Sequence, residues 1–124
     1  MSDLLYKDES YKIVGICMDV HRQLGGGFLE IVYKDALEYE FKQAKIPFDR
    51  EKEYSVSYKG ILLPHKFYAD FVVYDKIILE VKAQLELYNN SIPQVINYLA
   101  VSRNKLGIFV NFGKSSLEYK RIVY

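Results

Sequence analysis

The fold is decided by residues 68–83, which read Tyr-Ala-Asp-Phe-Val-Val-Tyr-Asp-Lys-Ile-Ile-Leu-Glu-Val-Lys-Ala. Two runs rich in Val, Ile, Phe and Tyr lie on either side of a short polar turn, and this pattern predicts a β-hairpin. Three charged residues, Asp70, Glu80 and Lys82, interrupt the apolar runs. Because side chains alternate across a strand, Glu80 and Lys82 lie on the same face of the second strand.

The length of the turn decides whether Asp70 joins that face. A three-residue loop over residues 74–76 pairs Val73 with Ile77. The same register pairs Asp70 with Glu80, whereas a two-residue loop places the two carboxylates on opposite faces. We predict the three-residue loop. The opposite face is then an unbroken apolar surface made of Phe71, Val73, Ile77, Leu79 and Val81.

Two carboxylates that face each other across a hairpin repel, and the repulsion costs stability unless a cation lies between them. Lys82 supplies one positive charge. Mg²⁺ would supply more, since this ion prefers one or two carboxylates together with waters and phosphate oxygens. An Asp followed ten residues later by Glu-x-Lys on the next strand resembles the PD-(D/E)XK nuclease superfamily. This local resemblance covers Asp70, Glu80 and Lys82.

An acid-x-Lys triplet alone is weak evidence, because ordinary residue usage produces about one in a chain of this size. The sequence holds three such triplets, which are Glu40-Phe-Lys42, Glu80-Val-Lys82 and Glu118-Tyr-Lys120. The first and the last are most simply explained as solvated surface charges. Only the middle triplet has an apolar strand beside it and an acid opposite, so the local pattern leaves both a function and a surface role open.

Composition restricts the class of protein. A chain of 124 residues, half of them hydrophobic, is expected to form one domain over residues 1–124. Its 17 basic and 16 acidic residues nearly cancel, which argues against a surface that binds nucleic acid as a whole but allows a local basic groove. The chain shows no membrane-length apolar run and no signal-like N-terminus, so we expect no membrane association. The single cysteine, Cys17, stands between Ile and Met, which predicts a buried thiol in a cytoplasmic protein.

Two helices are predicted before the hairpin. Residues 8–24 carry a core stripe at three- and four-residue spacing, made of Ile13, Ile16, Cys17, Val20 and Leu24. The glycines at 25–27 then end this helix, and they lack the Lys-Ser/Thr of a phosphate-binding loop. The second helix is predicted from about Leu29 to Lys45. Its expected core positions are Leu29, Val32, Ala36 and Tyr39, and a neighbouring stripe holds Glu30, Tyr33, Leu37 and Phe41.

The stretch Gly27-Phe-Leu-Glu30-Ile-Val-Tyr33 matches the Gly-x-x-Glu-x-x-Tyr signature of the GxxExxY protein family. That family is placed among PD-(D/E)XK-like proteins, and the resemblance continues in register along nearly the whole chain. Ser91 stands where family members often carry a histidine. The further matching segments are Glu51–Val56 with the Tyr58-Lys59-Gly60 turn, Tyr68–Val73, Leu79–Ala83, Gln94–Leu99 and Leu106–Gly113.

The predicted order is two helices, three strands, a helix and two strands (ααβββαββ). The third helix is expected to start at the N-cap candidates Asn89–Ser91 and to end near Arg103. The first three strands form an antiparallel meander, the third helix crosses over to a fourth strand in a mixed sheet, and the fifth strand lies at the sheet edge. The predicted fold class is therefore α/β (α+β by stricter usage), with a five-stranded restriction-endonuclease-like core flanked by helices.

The resemblance implies metal-assisted hydrolysis of phosphodiester bonds in nucleic acid, with DNA favoured over RNA. The implied catalytic residues are Glu30, Asp70, Glu80, Lys82 and Gln94, and the implied ligands of Mg²⁺ or Mn²⁺ are Asp70, Glu80, Glu30 and the Val81 carbonyl. Lys82 would orient the attacking water or stabilise the transition state, and Gln94 would position water or phosphate. Tyr33 and Tyr98 are expected to support the site.

Two other classes of function stay open. The chain could be a nucleic-acid or nucleotide-binding module that keeps the site without turnover, which its near-neutral charge and Ser91 favour. It could instead be an interaction subunit, since its 12 tyrosines could form a homodimer surface.

Overall fold

The computed structural model of the protein describes residues 4–85 and 91–124. Its elements are α1 (Lys7–Leu24), α2 (Glu30–Gln43), β1 (Phe48–Tyr58), β2 (Ile61–Val73), β3 (Ile77–Lys82), α3 (Ser91–Ser102), β4 (Leu106–Asn111) and β5 (Glu118–Val123). The predicted order of helices and strands is confirmed. The N-cap candidates Asn89 and Asn90 lie outside the described residues. No helix within the two described ranges is both long and apolar enough to span a membrane.

The five described strands form one mixed sheet in the order β1-β2-β3-β4-β5. β1, β2 and β3 are successive antiparallel neighbours, and β4 lies parallel to β3 because α3 crosses over between them. β5 pairs antiparallel with β4 and forms one edge of the sheet. The predicted meander, crossover and edge strand are therefore confirmed, and the fold is α+β.

The β2–β3 hairpin has the three-residue loop that the sequence predicts. Val73 pairs with Ile77, and the Lys76 N–H donates to the Val73 carbonyl at 3.2 Å. Tyr74 and Asp75 have positive φ angles of 55° and 58°, which bring the chain back within three residues. The predicted apolar face is fully buried and comprises Phe71, Val73, Ile77, Leu79 and Val81.

Helices cover both faces of the sheet. The larger core lies between the sheet and the pair α1–α2, and besides the hairpin residues it includes Ile13, Cys17, Tyr33, Leu37, Phe41 and Phe112. Burial in this core raises the pKa of the Cys17 thiol to about 12, so the thiol stays protonated and unreactive. The smaller core, under α3, comprises Ala69, Val72, Ile78, Val95, Leu99, Phe109 and Ile122.

The predicted core face of α2 is wrong in part. Leu29 and Tyr39 are 77% and 60% exposed, whereas Tyr33, Leu37 and Phe41 are fully buried. Both stripes have helical spacing, and tertiary contacts decide between them, because the aromatic rings of the second stripe pack on aromatic residues in and beside the sheet. Glu30 belongs to the second stripe and lies at the first turn of α2, so it is turned towards the sheet.

Asn111 connects the end of β4 to the chain that leaves β3. Its buried side chain accepts hydrogen bonds from Gln84 N–H at 2.9 Å and from Gly113 N–H at 3.1 Å, and donates to the Gln84 carbonyl at 3.0 Å. Position 113 requires a glycine, since a Cβ there would lie 2.3 Å from backbone atoms of Gln84. These contacts fix the backbone directly after Lys82.

Replacing Asn111 by Ala is expected to lower the free energy of unfolding by about 2–3 kcal/mol, because the N–H and the carbonyl of Gln84 both lose their partners in a partly buried place. Urea unfolding followed by circular dichroism measures the change. The matched control is Asn104→Ala at a half-buried position, where the backbone N–H is hydrogen-bonded and the side chain has no hydrogen-bond partner within residues 4–85 and 91–124. The control should change stability by less than about 0.5 kcal/mol. Equal stabilities of the two variants would contradict this role of Asn111.

Candidate functional site

The charged residues of the hairpin lie where β2 and β3 stop pairing. Backbone pairing between these strands ends at Phe71 and Leu79. Beyond that point the Val81 N–H donates a hydrogen bond to Oδ2 of Asp70 at 2.8 Å. A side-chain carboxylate thus takes the place of a backbone carbonyl, and Asp70 is fixed against β3 beside Glu80.

Asp70 also forms an ion pair with Lys34, a residue that sequence reasoning missed. Nζ of Lys34 lies 2.8 Å from Oδ1 of Asp70 and 2.7 Å from Oε1 of Glu51. Burial alone would lower the pKa of Lys34, but its hydrogen bonds to the two carboxylates outweigh burial and raise it, so the ammonium stays charged. A sequence signal was present, because Lys34 stands three and seven residues before Leu37 and Phe41 and so belongs to the buried stripe.

Glu51 has a left-handed backbone conformation in the middle of β1, with φ at 55°. Residues other than glycine adopt this conformation rarely, and it costs about 1–3 kcal/mol. β1 and β2 keep the same register on both sides of this position, since Arg50 pairs with Phe71 and Lys52 with Ala69, so the irregularity does not shift the pairing of the strands. The hydrogen bond to Lys34 is the favourable contact made there. No pattern in the sequence signals such a residue within a strand.

Glu80 is buried without full hydrogen bonding. The residue is 4% exposed, and its Oε1 has no hydrogen-bond partner among the described residues. Nζ of Lys82 lies 3.8 Å from the other oxygen, Oε2. Burial and, secondly, the negative charge of Asp70 raise the pKa of Glu80 to about 8, although Lys82 opposes the shift. Without a further cation, Glu80 is therefore mostly protonated at neutral pH.

Glu30 and Tyr98 face the same charges from the two layers of helices. Glu30 begins α2, and partial burial together with the charge of Asp70 raises its pKa, while Lys82 opposes the rise. Tyr98 lies on α3, where burial and then the charges of Glu80 and Asp70 raise its pKa to about 12. Both side chains thus lie in the electrostatic field of the hairpin acids.

Gln94 is exposed on the first turn of α3 and makes no hydrogen bond with another described residue. It stands four residues before Tyr98, so the two share a face of the helix, with Gln94 on the solvent side. Its contact with water or phosphate stays a prediction.

Tyr33 holds the loop that precedes α2. Its hydroxyl donates to the Gly25 carbonyl at 2.6 Å and accepts from the Phe28 N–H at 3.3 Å. Gly27 has a φ of 104°, a conformation that glycine adopts without strain. The Gly-x-x-Glu-x-x-Tyr spacing therefore has a structural explanation, since Gly27 and Tyr33 shape the loop that sets the first turn of α2, where Glu30 lies.

The donor set suits a hard divalent cation, although it is not a preformed cage. Across residues 4–85 and 91–124, no three His, Cys, Asp or Glu side chains converge closely enough to hold a metal ion. Lys34 supplies the positive charge that Asp70 and Glu51 share. The observation that fits an ion is the buried Glu80 oxygen, which lacks a partner in the described part of the chain, because Mg²⁺ and Mn²⁺ take carboxylate oxygens.

The buried Glu80 carboxyl is expected to make the stability of the metal-free protein depend on pH. Its pKa is about 8 in the folded protein, against an ordinary value of 4.5. At pH values between these two, the folded state therefore binds more protons than the unfolded state. The free energy of unfolding therefore falls as the pH rises from about 5 to about 8. In the Glu80→Gln variant, which lacks this carboxyl, we expect the free energy of unfolding to fall over the same pH range by at least about 1 kcal/mol less than in the wild type. Urea unfolding with a chelator, at several pH values in this range, measures it.

The matched control for this prediction is Glu40→Gln, a substitution at a half-buried acid of α2. It should leave the fall in stability in place, because Glu80 is intact. Parallel stability profiles of the wild type and Glu80→Gln would show that Glu80 does not titrate in this way.

Comparison with known proteins agrees with the fold. The family model of the PD-(D/E)XK nuclease superfamily matches residues 7–122. No curated protein matches the chain. The crystal structure of SSO0001 is similar, with a TM-score of 0.57 and 20% sequence identity over 74% of this chain and 49% of that one. The chain thus spans about half the length of SSO0001, and this likeness shows the fold alone. Because the family match covers nearly the whole chain, the protein belongs to the PD-(D/E)XK nuclease superfamily.

Proposed function

We propose that the protein is a metal-dependent nuclease that hydrolyses phosphodiester bonds of DNA or RNA. Membership in the superfamily supports this class of reaction. The observation that carries the proposal is the buried Glu80 carboxyl, which lies beside Asp70 and 3.8 Å from the Lys82 ammonium, with one oxygen unpartnered among the described residues. Within the superfamily, the loop held by Gly27 and Tyr33 supports a GxxExxY-type member, since it gives that signature a structural role.

Asp70 and Glu80 would hold Mg²⁺ or Mn²⁺, and Glu30 would reach the ion directly or through a water. The carbonyl of Val81 is a further candidate ligand. Val81 is held in place by the hydrogen bond that its N–H donates to Asp70. When bound, the ion would lower the pKa of the attacking water and neutralise charge on the scissile phosphate.

The remaining side chains have roles that do not require direct metal contact. Lys82 is suited to orient the attacking water or to stabilise the transition-state charge, because its side chain is 20% exposed beside Glu80. Tyr98, with a pKa of about 12, stays protonated and can donate a hydrogen bond from α3. Gln94, exposed one helical turn earlier, is free to contact a substrate phosphate with its amide.

A second candidate function is nucleic-acid binding without turnover. Two observations favour it. Lys34 already neutralises Asp70, and the acids in the described ranges form no group of three that could hold a metal ion. A binding module would keep the fold and the surface of the site and would not need the ion.

A nuclease assay with Mg²⁺ or Mn²⁺ on double-stranded DNA, single-stranded DNA and RNA tests the proposed function. Glu80→Ala and Lys82→Ala should each lower the cleavage rate by at least about 100-fold, because the first removes a ligand of the proposed metal ion and the second removes a charge that acts on the attacking water or the transition state. A chelator should abolish cleavage. The matched control is Lys120→Ala, since this lysine ends an acid-x-Lys triplet on the edge strand β5 and is exposed. The control should cleave like the wild type.

The outcomes separate the two candidates. Cleavage that persists equally in both site variants would refute the assignment of the site to Glu80 and Lys82. Tight binding of one of these nucleic acids by the wild type, with no cleavage at any metal concentration, would favour the binding module.

A further inference from the structure

We propose that Lys34 is an internal counter-ion of the site. Its ammonium pairs with the Asp70 oxygen that a divalent ion would use, and when the ion binds, Lys34 leaves Asp70 and keeps Glu51 as its partner. The inference rests on the proposed function, because the ion concerned is the one that Asp70 and Glu80 would hold. Lys34 is then a positioning residue that sets the affinity of the site for the ion.

Both oxygens of Asp70 are engaged by donors of the chain itself. Oδ2 accepts the Val81 N–H at 2.8 Å, and Oδ1 lies 2.8 Å from the Lys34 ammonium. The side chains of this ion pair are 7% and 10% exposed, so solvent and salt screen it little. A divalent ion on Asp70 would share this carboxylate with a second cation, and two cations so placed repel strongly. Lys34 therefore has to leave Asp70 for the ion to bind well.

Glu51 gives Lys34 a second partner. Its Oε1 lies 2.7 Å from Nζ, and its side chain is 49% exposed. When it leaves Asp70, the lysine keeps one hydrogen-bonded carboxylate and gains solvent, which avoids a buried charge without a partner. The left-handed backbone of Glu51 is a strained feature retained at the position where this second partner is needed.

Lys82 provides the comparison within the same site. It carries the same charge as Lys34, but it pairs with Glu80, at 3.8 Å, rather than with Asp70, and it is 20% exposed. Removing either lysine lowers the positive charge of the site by one, whereas only the removal of Lys34 frees an oxygen of Asp70. If Lys34 has to be displaced from Asp70, removing Lys34 raises the affinity for the ion much more than removing Lys82 does. If only the net charge of the site matters, the two substitutions raise it equally.

The test is the affinity of the chelator-treated protein for Mn²⁺, measured by isothermal titration calorimetry at fixed pH and ionic strength. Lys34→Met should bind Mn²⁺ about tenfold more tightly than the wild type, because no ammonium competes for Asp70. Lys34→Arg keeps a cation beside Asp70 and should therefore not tighten Mn²⁺ binding. Lys82→Met removes an equal charge but frees no oxygen of Asp70, so it should tighten Mn²⁺ binding by less than about threefold. No tightening in Lys34→Met, or equal tightening in both Met variants, overturns the inference.

A double-mutant cycle tests the part assigned to Glu51. Glu51→Gln, at a half-exposed position, should weaken Mn²⁺ binding about threefold, because Lys34 loses the carboxylate to which it shifts. The same substitution in the Lys34→Met background should have no effect, since no lysine remains to be displaced. Weakening that persists in the double variant would mean that Glu51 acts on the ion itself and would overturn its assigned role. If Lys34→Met does not fold, Lys34→Gln takes its place, since a neutral amide can still donate to Asp70.

Failure of this inference can be distinguished from failure of the proposed function. Mn²⁺ binding by the wild type that Lys34→Met leaves unchanged overturns the counter-ion role and leaves the nuclease proposal standing. Absence of Mn²⁺ binding in the wild type and in every variant overturns both.

Discussion

The carboxylate of Asp70 joins three elements of the fold through two short contacts. It accepts the Val81 N–H of β3 on one oxygen and pairs with Lys34 of α2 on the other, while it is itself part of β2. A buried carboxylate costs several kcal/mol unless it is both paired and hydrogen-bonded, and Asp70 meets both conditions. One side chain therefore couples the point where the hairpin opens to the position of α2. The arrangement of the remaining acids depends on that point.

Contacts outside the site keep its strained and poorly solvated groups in place. Asn111 fixes the backbone after Lys82, and Tyr33 fixes the loop before Glu30, yet neither side chain takes part in the proposed chemistry. Between these supports, Glu80 stays buried although burial raises its pKa to about 8. A fold whose cores lie on both faces of the sheet can hold such a group, because the surrounding structure determines its position more strongly than its own interactions do.

The sequence predicted those features that follow from local periodicity and failed where tertiary contacts decide. The hairpin register followed from strand alternation and loop length, and the order of elements followed from breakers and apolar runs. The face of α2 was misassigned, because two neighbouring stripes have similar apolar content and only packing against the sheet separates them. Lys34 was overlooked for the same reason, since its place on the buried stripe becomes meaningful only when Asp70 lies across from it. The backbone of Glu51 could not be predicted, because a left-handed residue inside a strand leaves no trace in residue types.

The charge balance of the site affects how a nearly neutral protein would bind nucleic acid. In the described chain, acids outnumber lysines there, with Glu30, Glu51, Asp70 and Glu80 set against Lys34 and Lys82. Such a set does not attract phosphate, and a net charge of +1 adds little attraction at long range. Under the proposed function, the divalent ion therefore has to bind before the phosphate backbone can approach closely. The surplus of acids that makes the metal-free site unsuited to phosphate is the same property that makes it a site for a cation.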